Sequence, residues 1–389
     1  MDEARFLHLA RPIMSLPTAP YHEHFVWRAV RDFASRRPRL EVSEDRTGNL
    51  LLCYDGRRKK KNDREEYLIT TAHMDHPGLA FKERLSDREF AFERMGGFSS
   101  SLARRAGVRI YHLEDSPGQR GIKGVVAGEL GGTEERPAAY RVHVESPSQA
   151  ARVGPGSFAM WDLRTWNLRG RRLHCRACDD LGGVAVGLAF LDELNRRRAP
   201  VKAGLLLTRA EEVGFAGMVG AVDAHFLDSK ALYINIECSS ILAGAVMGAG
   251  PVIRVGDRMW TFNPHLTAGL VEVARQLTTK EAGFRYQRKL MDSGSCEATV
   301  LMGNGFRTGA VALPLGNYHN TGEKRLSPEI IHLDDALNMV DLLVHLSRYP
   351  GGCAASLRAS TEALDKSFAD RFKHQKPRLL ANPPTMGSA

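Results

Sequence analysis

Short stretches far apart in this 389-residue chain place metal-type ligands where apolar runs end. They are His73-Met74-Asp75, Asp179-Asp180, Glu211-Glu212 and Glu237, with His319 following in Asn317-Tyr318-His319-Asn320. Two divalent cations held a few Å apart need imidazoles at the outer positions and a carboxylate bridging between them. One further carboxylate must stay free to take a proton from water. The chain offers that inventory once, so the expectation is a two-metal hydrolytic site.

Spacing assigns part of the work. In Ile69-Thr70-Thr71-Ala72-His73-Met74-Asp75 a two-residue step puts His73 and Asp75 on one side of an extended chain. His73 can then bind a cation while the Asp75 carboxylate hydrogen-bonds the imidazole and fixes its tautomer. Glu211-Glu212 leaves an apolar run for a Gly-containing loop, where adjacent side chains diverge. One can coordinate and the other can serve as general base, although the pair taken alone reads as an acidic surface turn. Asp179-Asp180 precedes a helix start; Asp180 reads as its N-cap and the other acid as the bridge. Glu237 ends Tyr233-Ile234-Asn235-Ile236, where a buried acid needs a cation or an arginine. His319 lies in a polar loop after a strand. His76 adjoins the first motif and is a second candidate. His174 precedes Cys175-Arg176-Ala177-Cys178, but no second Cys pair stands at finger spacing, which argues against a zinc finger.

The elements that must position these residues follow from apolar periodicity. Residues 5–36 read as helices broken near Ser15-Leu16-Pro17. Strands are expected over Glu66 to Thr71, Ala203 to Thr208, Ala231 to Ile236 and Gly309 to Leu313, with helices over Leu181 to Leu194 and around Leu333 to Val344. That alternation implies an α/β core of a mixed open sheet with helices on both faces, the ligands lying at strand ends. Between 77 and 170 glycines are frequent and the apolar runs are short and β-like, so a smaller mainly β domain is expected as an insertion; the alternative is one large domain with long excursions. The catalytic domain would comprise 1–76 and 171–355, the inserted domain serving oligomerisation or substrate access. Residues 356–389 would be helical and then, from about His374, a disordered basic tail.

Composition narrows the function classes. At 43% hydrophobic the chain can bury an ample core. The first residues lack the pattern of a signal peptide and no apolar run has membrane-spanning length. Six cysteines show no disulfide-framework density, which suits a reducing cytoplasm. A net charge of +9 invites a nucleic-acid reading. The densest basic run, Arg57-Arg58-Lys59-Lys60-Lys61, sits between two strand-like runs and reads as a solvated hairpin tip. Neither nucleic acid nor membrane is expected as a partner.

The ordered set His-x-Asp, Asp-Asp, Glu-Glu, a later acid and a final histidine resembles the co-catalytic metallopeptidases, a clan shared with the M20 and M28 families, and especially the M42 family of tetrahedral and glutamyl aminopeptidases. Asp45-Arg46-Thr47-Gly48-Asn49-Leu50, Glu211-Glu212-Val213-Gly214 and Met247-Gly248-Ala249-Gly250-Pro251 resemble its segments too, and the insertion falls where its small β domain lies. The resemblance implies that His73, Asp179 and Glu237 hold one metal and Asp179, Glu212 and His319 the other. Glu211 would be the general base and Asp75 the partner of His73. It further implies two divalent ions per subunit (zinc first, cobalt or manganese as alternatives), peptide substrates cut from the amino end, and a homo-oligomer. Three departures stand out. Glu237 replaces an aspartate, Ser293-Gly294-Ser295-Cys296-Glu297-Ala298 replaces a Gly-Gly-Thr-Asp-Ala-like stretch, and His76-Pro77 follows the first motif. An M20-like amidohydrolase or dipeptidase, gripping a substrate carboxylate through Arg254, Arg285 or Arg307, is the alternative enzyme. A catalytically silent scaffold is a third reading.

Overall fold

The longest apolar runs lie side by side as the centre of one sheet. In the computed structural model, which describes residues 1–57, 67–116, 118–241, 244–349 and 353–381, eight strands form a mixed sheet. Their order is Leu40–Glu44, Leu50–Asp55, Lys202–Thr208, Leu68–His73, Leu232–Ser240, Thr308–Leu315, Val252–Gly256 and Gln287–Leu290. The four strands from Lys202–Thr208 to Thr308–Leu315 run parallel. Both faces of such strands are covered, and they are accordingly almost wholly buried.

One face carries the helices Leu181–Arg196, Pro264–Lys280 and Leu333–Ser347 over the largest apolar cluster, with Glu3–Met14 packed outside the first. The other face carries Ala216–Asp223 and Glu297–Gly303. Leu181–Arg196 approaches the sheet closely because Gly187 has no side chain: a Cβ there would stand 2.5 Å from Leu205 Cδ1. The fold is therefore the α/β arrangement, with helices on both faces, that the alternation implies.

The glycine-rich stretch forms a closed barrel of six strands, Gly78–Arg84, Glu89–Met95, Pro137–His143, Ile122–Gly132, Gly107–His112 and Ser157–Trp161. It has its own core of Phe90, Phe92, Tyr140, Val142 and Trp161. A third sheet joins Asn167–Arg169, Arg172–Cys175 and Glu329–His332. Cys53, Cys175, Cys178, Cys238 and Cys296 are free thiols. Among the described residues no helix is long and apolar enough to cross a membrane.

Three local expectations are corrected. The strands flanking the basic run do not form a hairpin, because Lys202–Thr208 lies between Leu50–Asp55 and Leu68–His73; Arg58 to Lys61 fall outside the described residues. Helix Cys353–Ala381 continues past His374, where disorder was expected. Acids and bases interleave along its earlier turns, from Glu362 to Lys373, and support helix there; the last turns continue it. Strand Leu232–Ser240 runs three residues beyond Glu237, which therefore lies within the strand rather than at its end.

Candidate metal centre

Because the central strands are parallel, their carboxyl ends share one edge of the sheet, and the candidate residues gather there. His73 is the last residue of Leu68–His73. Glu211 and Glu212 occupy a short 3-10 turn beyond Lys202–Thr208, and His319 sits in another beyond Thr308–Leu315. Asp179 lies ahead of helix Leu181–Arg196, and its peptide bond to Asp180 is cis.

Asp179 is the hub. Its Oδ1 is 3.5 Å from His73 Nε2 and its Oδ2 is 3.5 Å from His319 Nε2. His73 Nε2 is also 3.9 Å from Glu237 Oε2 and from Glu211 Oε2. His319 Nε2 is 3.2 Å from Glu212 Oε1. Two groups of donor atoms, each mutually within 4.8 Å, result: His73, Asp179 and Glu237, and Asp179, Glu212 and His319. A third such group joins His73 to Glu211 and Glu212. Ligand atoms around a tetrahedral ion bonded at about 2.0–2.1 Å stand roughly 3.3 Å apart, so these separations suit a cation with little movement.

The donor set also needs one. Asp179 Oδ1, Glu212 Oε1, Glu237 Oε1 and His319 Nε2 are buried without a hydrogen-bond partner, and buried polar atoms are seldom left so. Four carboxylates (Asp179, Glu211, Glu212, Glu237) meet only two imidazoles, an excess of buried negative charge that calls for compensation. Burial, reinforced by neighbouring acids and opposed by His73, pushes Glu211 well above the carboxylate range. Burial likewise pushes Glu237 up to about 8, with His73 opposing. For His73 and His319 burial works the other way, yet the surrounding carboxylates outweigh it and raise both. The donors present thus fit divalent cations.

The Glu211-Glu212 turn is held from beneath. Asp75 Oδ1 accepts the Glu211 N–H at 3.0 Å and Oδ2 accepts the Glu212 N–H at 3.1 Å. The same carboxylate is 3.5 Å from His73 Nδ1, while the Asp75 carbonyl is nearer at 3.2 Å. Asp75 thus lies beside the imidazole it was expected to orient and, in addition, holds the glutamate turn. Behind the turn, Glu23 accepts the Ala210 N–H and pairs with Arg209. Asn49, ending the Asp45-to-Asn49 turn, accepts the Arg209 N–H and donates to the Gly217 carbonyl.

Other candidates are placed differently. His76 is fully engaged, with Nδ1 at 2.6 Å from the Asp179 carbonyl and Nε2 at 3.1 Å from Asn320 Oδ1. His174 lies on strand Arg172–Cys175, away from the cluster. Asp180 stands at the helix N-terminus but makes no capping hydrogen bond; its carboxylate crowds over Gly183, where a Cβ would come within 2.3 Å of it.

A cavity of about 370 Å³ opens over the cluster, its wall including Phe215, Arg254, Met291, Ser293 and Tyr318. Arg254 is 3% exposed, its Nη1 weakly bonded to Ser239 Oγ at 3.4 Å and its Nε without a partner. Of the three arginines considered from sequence, it alone lines this cavity; Arg285 is exposed and Arg307 donates to the Lys230 carbonyl. Glu297, beneath the site, is fully buried, bonded to Thr208 Oγ1 at 2.8 Å and pushed up to about 7 by burial. Glu329, which reading by strands and apolar runs does not mark, bonds the backbone beside Asp179 and His319. Its one sequence signal is an acid directly ahead of the apolar pair Ile330-Ile331.

The sequence model of the M42 glutamyl aminopeptidase family matches residues 48–342. The fold is similar to several solved structures. One is the aminopeptidase APDkam598 of the archaeon Desulfurococcus kamchatkensis, at 19% identity and TM-score 0.73, over 92% of this chain and 98% of that one. Another is a TET aminopeptidase of the marine sediment archaeon Thaumarchaeota archaeon SCGC AB-539-E09, at 16% and 0.74, over 92% and 99%. A third is the TET1 peptidase of Pyrococcus horikoshii, which assembles into a tetrahedron or a large octahedral shell, at 20% and 0.71, over 89% and 100%.

Proposed function

The chain belongs to the M42 glutamyl aminopeptidase family, and from that premise we propose that it is a two-metal aminopeptidase removing amino-terminal residues from short peptides. The observation that carries this reading is Asp179, whose two oxygens each face a different histidine. His73, Asp179 and Glu237 would hold one ion and Asp179, Glu212 and His319 the other. Zinc comes first, with cobalt and manganese compatible with the mixed carboxylate and imidazole set. When bound, the ions polarise the scissile carbonyl and make water a better nucleophile.

The side chains supply the rest. Glu211, in neither of those two sets, would take the proton of the attacking water and deliver it to the departing amine. Burial raises its affinity for a proton, and cations held by the neighbouring donors would oppose this and keep it ionised to accept one. Asp75 keeps Glu211 and Glu212 in place through their backbone N–H groups. Arg254 would receive an acidic side chain of the first substrate residue, because a buried guanidinium with an unpartnered Nε pairs well with a carboxylate. The same arginine favours a second reading, an amidohydrolase or dipeptidase that grips a substrate carboxylate.

We place the barrel as an inserted unit within a catalytic layer of 1–76 and 171–355, and expect a cytoplasmic homo-oligomer. The test of function is hydrolysis of free-amine peptides and their N-acetylated counterparts by metal-stripped protein reconstituted separately with zinc, cobalt and manganese. Cleavage of the free-amine set alone, best with Glu or Asp first, supports the aminopeptidase. Turnover of the acylated set moves the assignment to the amidohydrolase.

A further inference from the structure

We infer that Glu329 is a positioning residue that holds the two ligand-bearing loops at the spacing a second cation requires, an inference that rests on the two-ion reading above. Glu329 is fully buried and begins strand Glu329–His332. Its Oε2 accepts the N–H groups of Cys178 and Asp179 at 2.7 and 2.9 Å. Its Oε1 accepts the N–H of His319 at 2.8 Å. One carboxylate thus grips the backbone of both Asp179 and His319, whose side-chain atoms face each other at 3.5 Å. The chain segments joined in this way are 140 residues apart in sequence (319 − 179).

The His319 loop needs such a hold. His319 has φ +50°, and Asn317 and Asn320 beside it have φ +55° and +60°, a left-handed conformation uncommon for residues other than glycine and asparagine. The strand that carries Glu329 is itself anchored on both sides. It pairs antiparallel with Arg172–Cys175, Cys175 opposite Glu329, and Gly316 and Ile330 exchange both backbone hydrogen bonds at 2.9 and 3.0 Å. Glu329 therefore stands where the Asp179 loop and the His319 loop both leave a fixed frame. Both of its oxygens are used as acceptors, which a carboxylate can supply and an amide cannot: in Glu329→Gln an NH2 must face one of the three N–H groups. Because His319 belongs to the second ion alone, that ion should suffer first.

The experiment is cobalt binding to metal-stripped protein, followed by equilibrium dialysis and by the visible spectrum of bound Co²⁺, for wild type, Glu329→Gln, Glu329→Asp and Ile331→Ala. Ile331 is a core residue of the same strand, so its truncation weakens that strand by packing without touching the loops' hydrogen bonds. The expected result is a second-ion dissociation constant raised about 10- to 100-fold in Glu329→Gln, a first ion changed far less, an intermediate effect in Glu329→Asp, and two tightly bound ions in Ile331→Ala despite a lower melting temperature. Equal second-ion affinity in wild type and Glu329→Gln overturns the inference. So does loss of the second ion in Ile331→Ala to the same extent, since the effect would then follow general stability. Wild-type protein that takes up one ion only overturns it together with the two-ion reading, whereas two ions without peptide turnover count against the peptidase alone.

Discussion

Replacing Asp75 with asparagine tests how the site is built, because the carboxylate holds the glutamate turn through backbone N–H groups and stands 3.5 Å from His73 Nδ1. Its oxygens accept the N–H groups of Glu211 and Glu212 at 3.0 and 3.1 Å, and Asp75 is wholly buried. Asparagine keeps one acceptor and turns an NH2 toward the other N–H, leaving that donor unsatisfied at about 1–3 kcal/mol. The surviving bond loses its charge assistance, worth about 1 kcal/mol more. The sum, about 2–4 kcal/mol, falls on the turn that carries the proposed base and a proposed ligand. If it appears wholly as misplacement in the transition state, at about 1.36 kcal/mol per tenfold, kcat/KM falls roughly 30- to 900-fold. The assay is steady-state hydrolysis of a free-amine peptide at saturating zinc, with a thermal melt of the same sample. A variant whose melting temperature drops while kcat/KM stays within about twofold of wild type would show Asp75 to be a support of the fold and not of the site. No change in either would refute the hydrogen-bond reasoning itself.

Glu211→Gln should lower kcat by about 10²- to 10⁴-fold while both ions still bind; full turnover with metal bound would remove Glu211 as the base. Arg254→Met should cut kcat/KM for peptides beginning with Glu or Asp far more than for those beginning with Leu, and an unchanged ratio would free the arginine of any role in selectivity. Chelation with EDTA should abolish turnover and lower the melting temperature, both restored by zinc, because ions that bind only the folded state stabilise it; a melt indifferent to EDTA argues against tight sites. His24 has both ring nitrogens buried and unpartnered, and burial, reinforced by the nearby Arg28 charge, lowers its pKa from 6.5 to about 4. Its neutral form therefore contributes stability that is present above pH 6.5 and lost as pH falls toward 4, since the unfolded chain takes the proton first. Melting temperatures from pH 4 to 7 should fall less steeply in His24→Gln, and parallel curves would contradict this.

The α/β core was legible wherever one apolar run met one element. Leu181–Arg196 and Leu333–Ser347 show apolar residues at helical spacing, and Lys202–Thr208 and Thr308–Leu315 show continuous apolar runs of strand length. The basic run misled because two strands adjacent in sequence invite a hairpin, whereas here a strand that starts 147 residues after the first of them ends (202 − 55) lies between them. The helix after 356 was expected, and only its last turns, from His374 to Ala381, were missed, because a proline and basic residues there announce no packing. Among the described residues, the structure brings His73, Asp179, Glu211, Glu212, Glu237 and His319 into three overlapping donor groups and leaves His76 and His174 out.

Sequence by itself determined the chemistry on offer: imidazoles and carboxylates in short motifs, each placed at or near the end of an apolar run, because donor type and element periodicity are local properties. Tertiary structure alone decided how those donors are aimed. That Asp179 turns one oxygen to each histidine, that Arg254 and not Arg285 or Arg307 enters the cavity, and that Glu329 ties Asp179 to His319 all depend on segments far apart in the chain meeting at one sheet edge. Such contacts arise from parallel strand order and from the need of buried N–H groups and carboxylates to find partners, and no single stretch of sequence contains both halves of them.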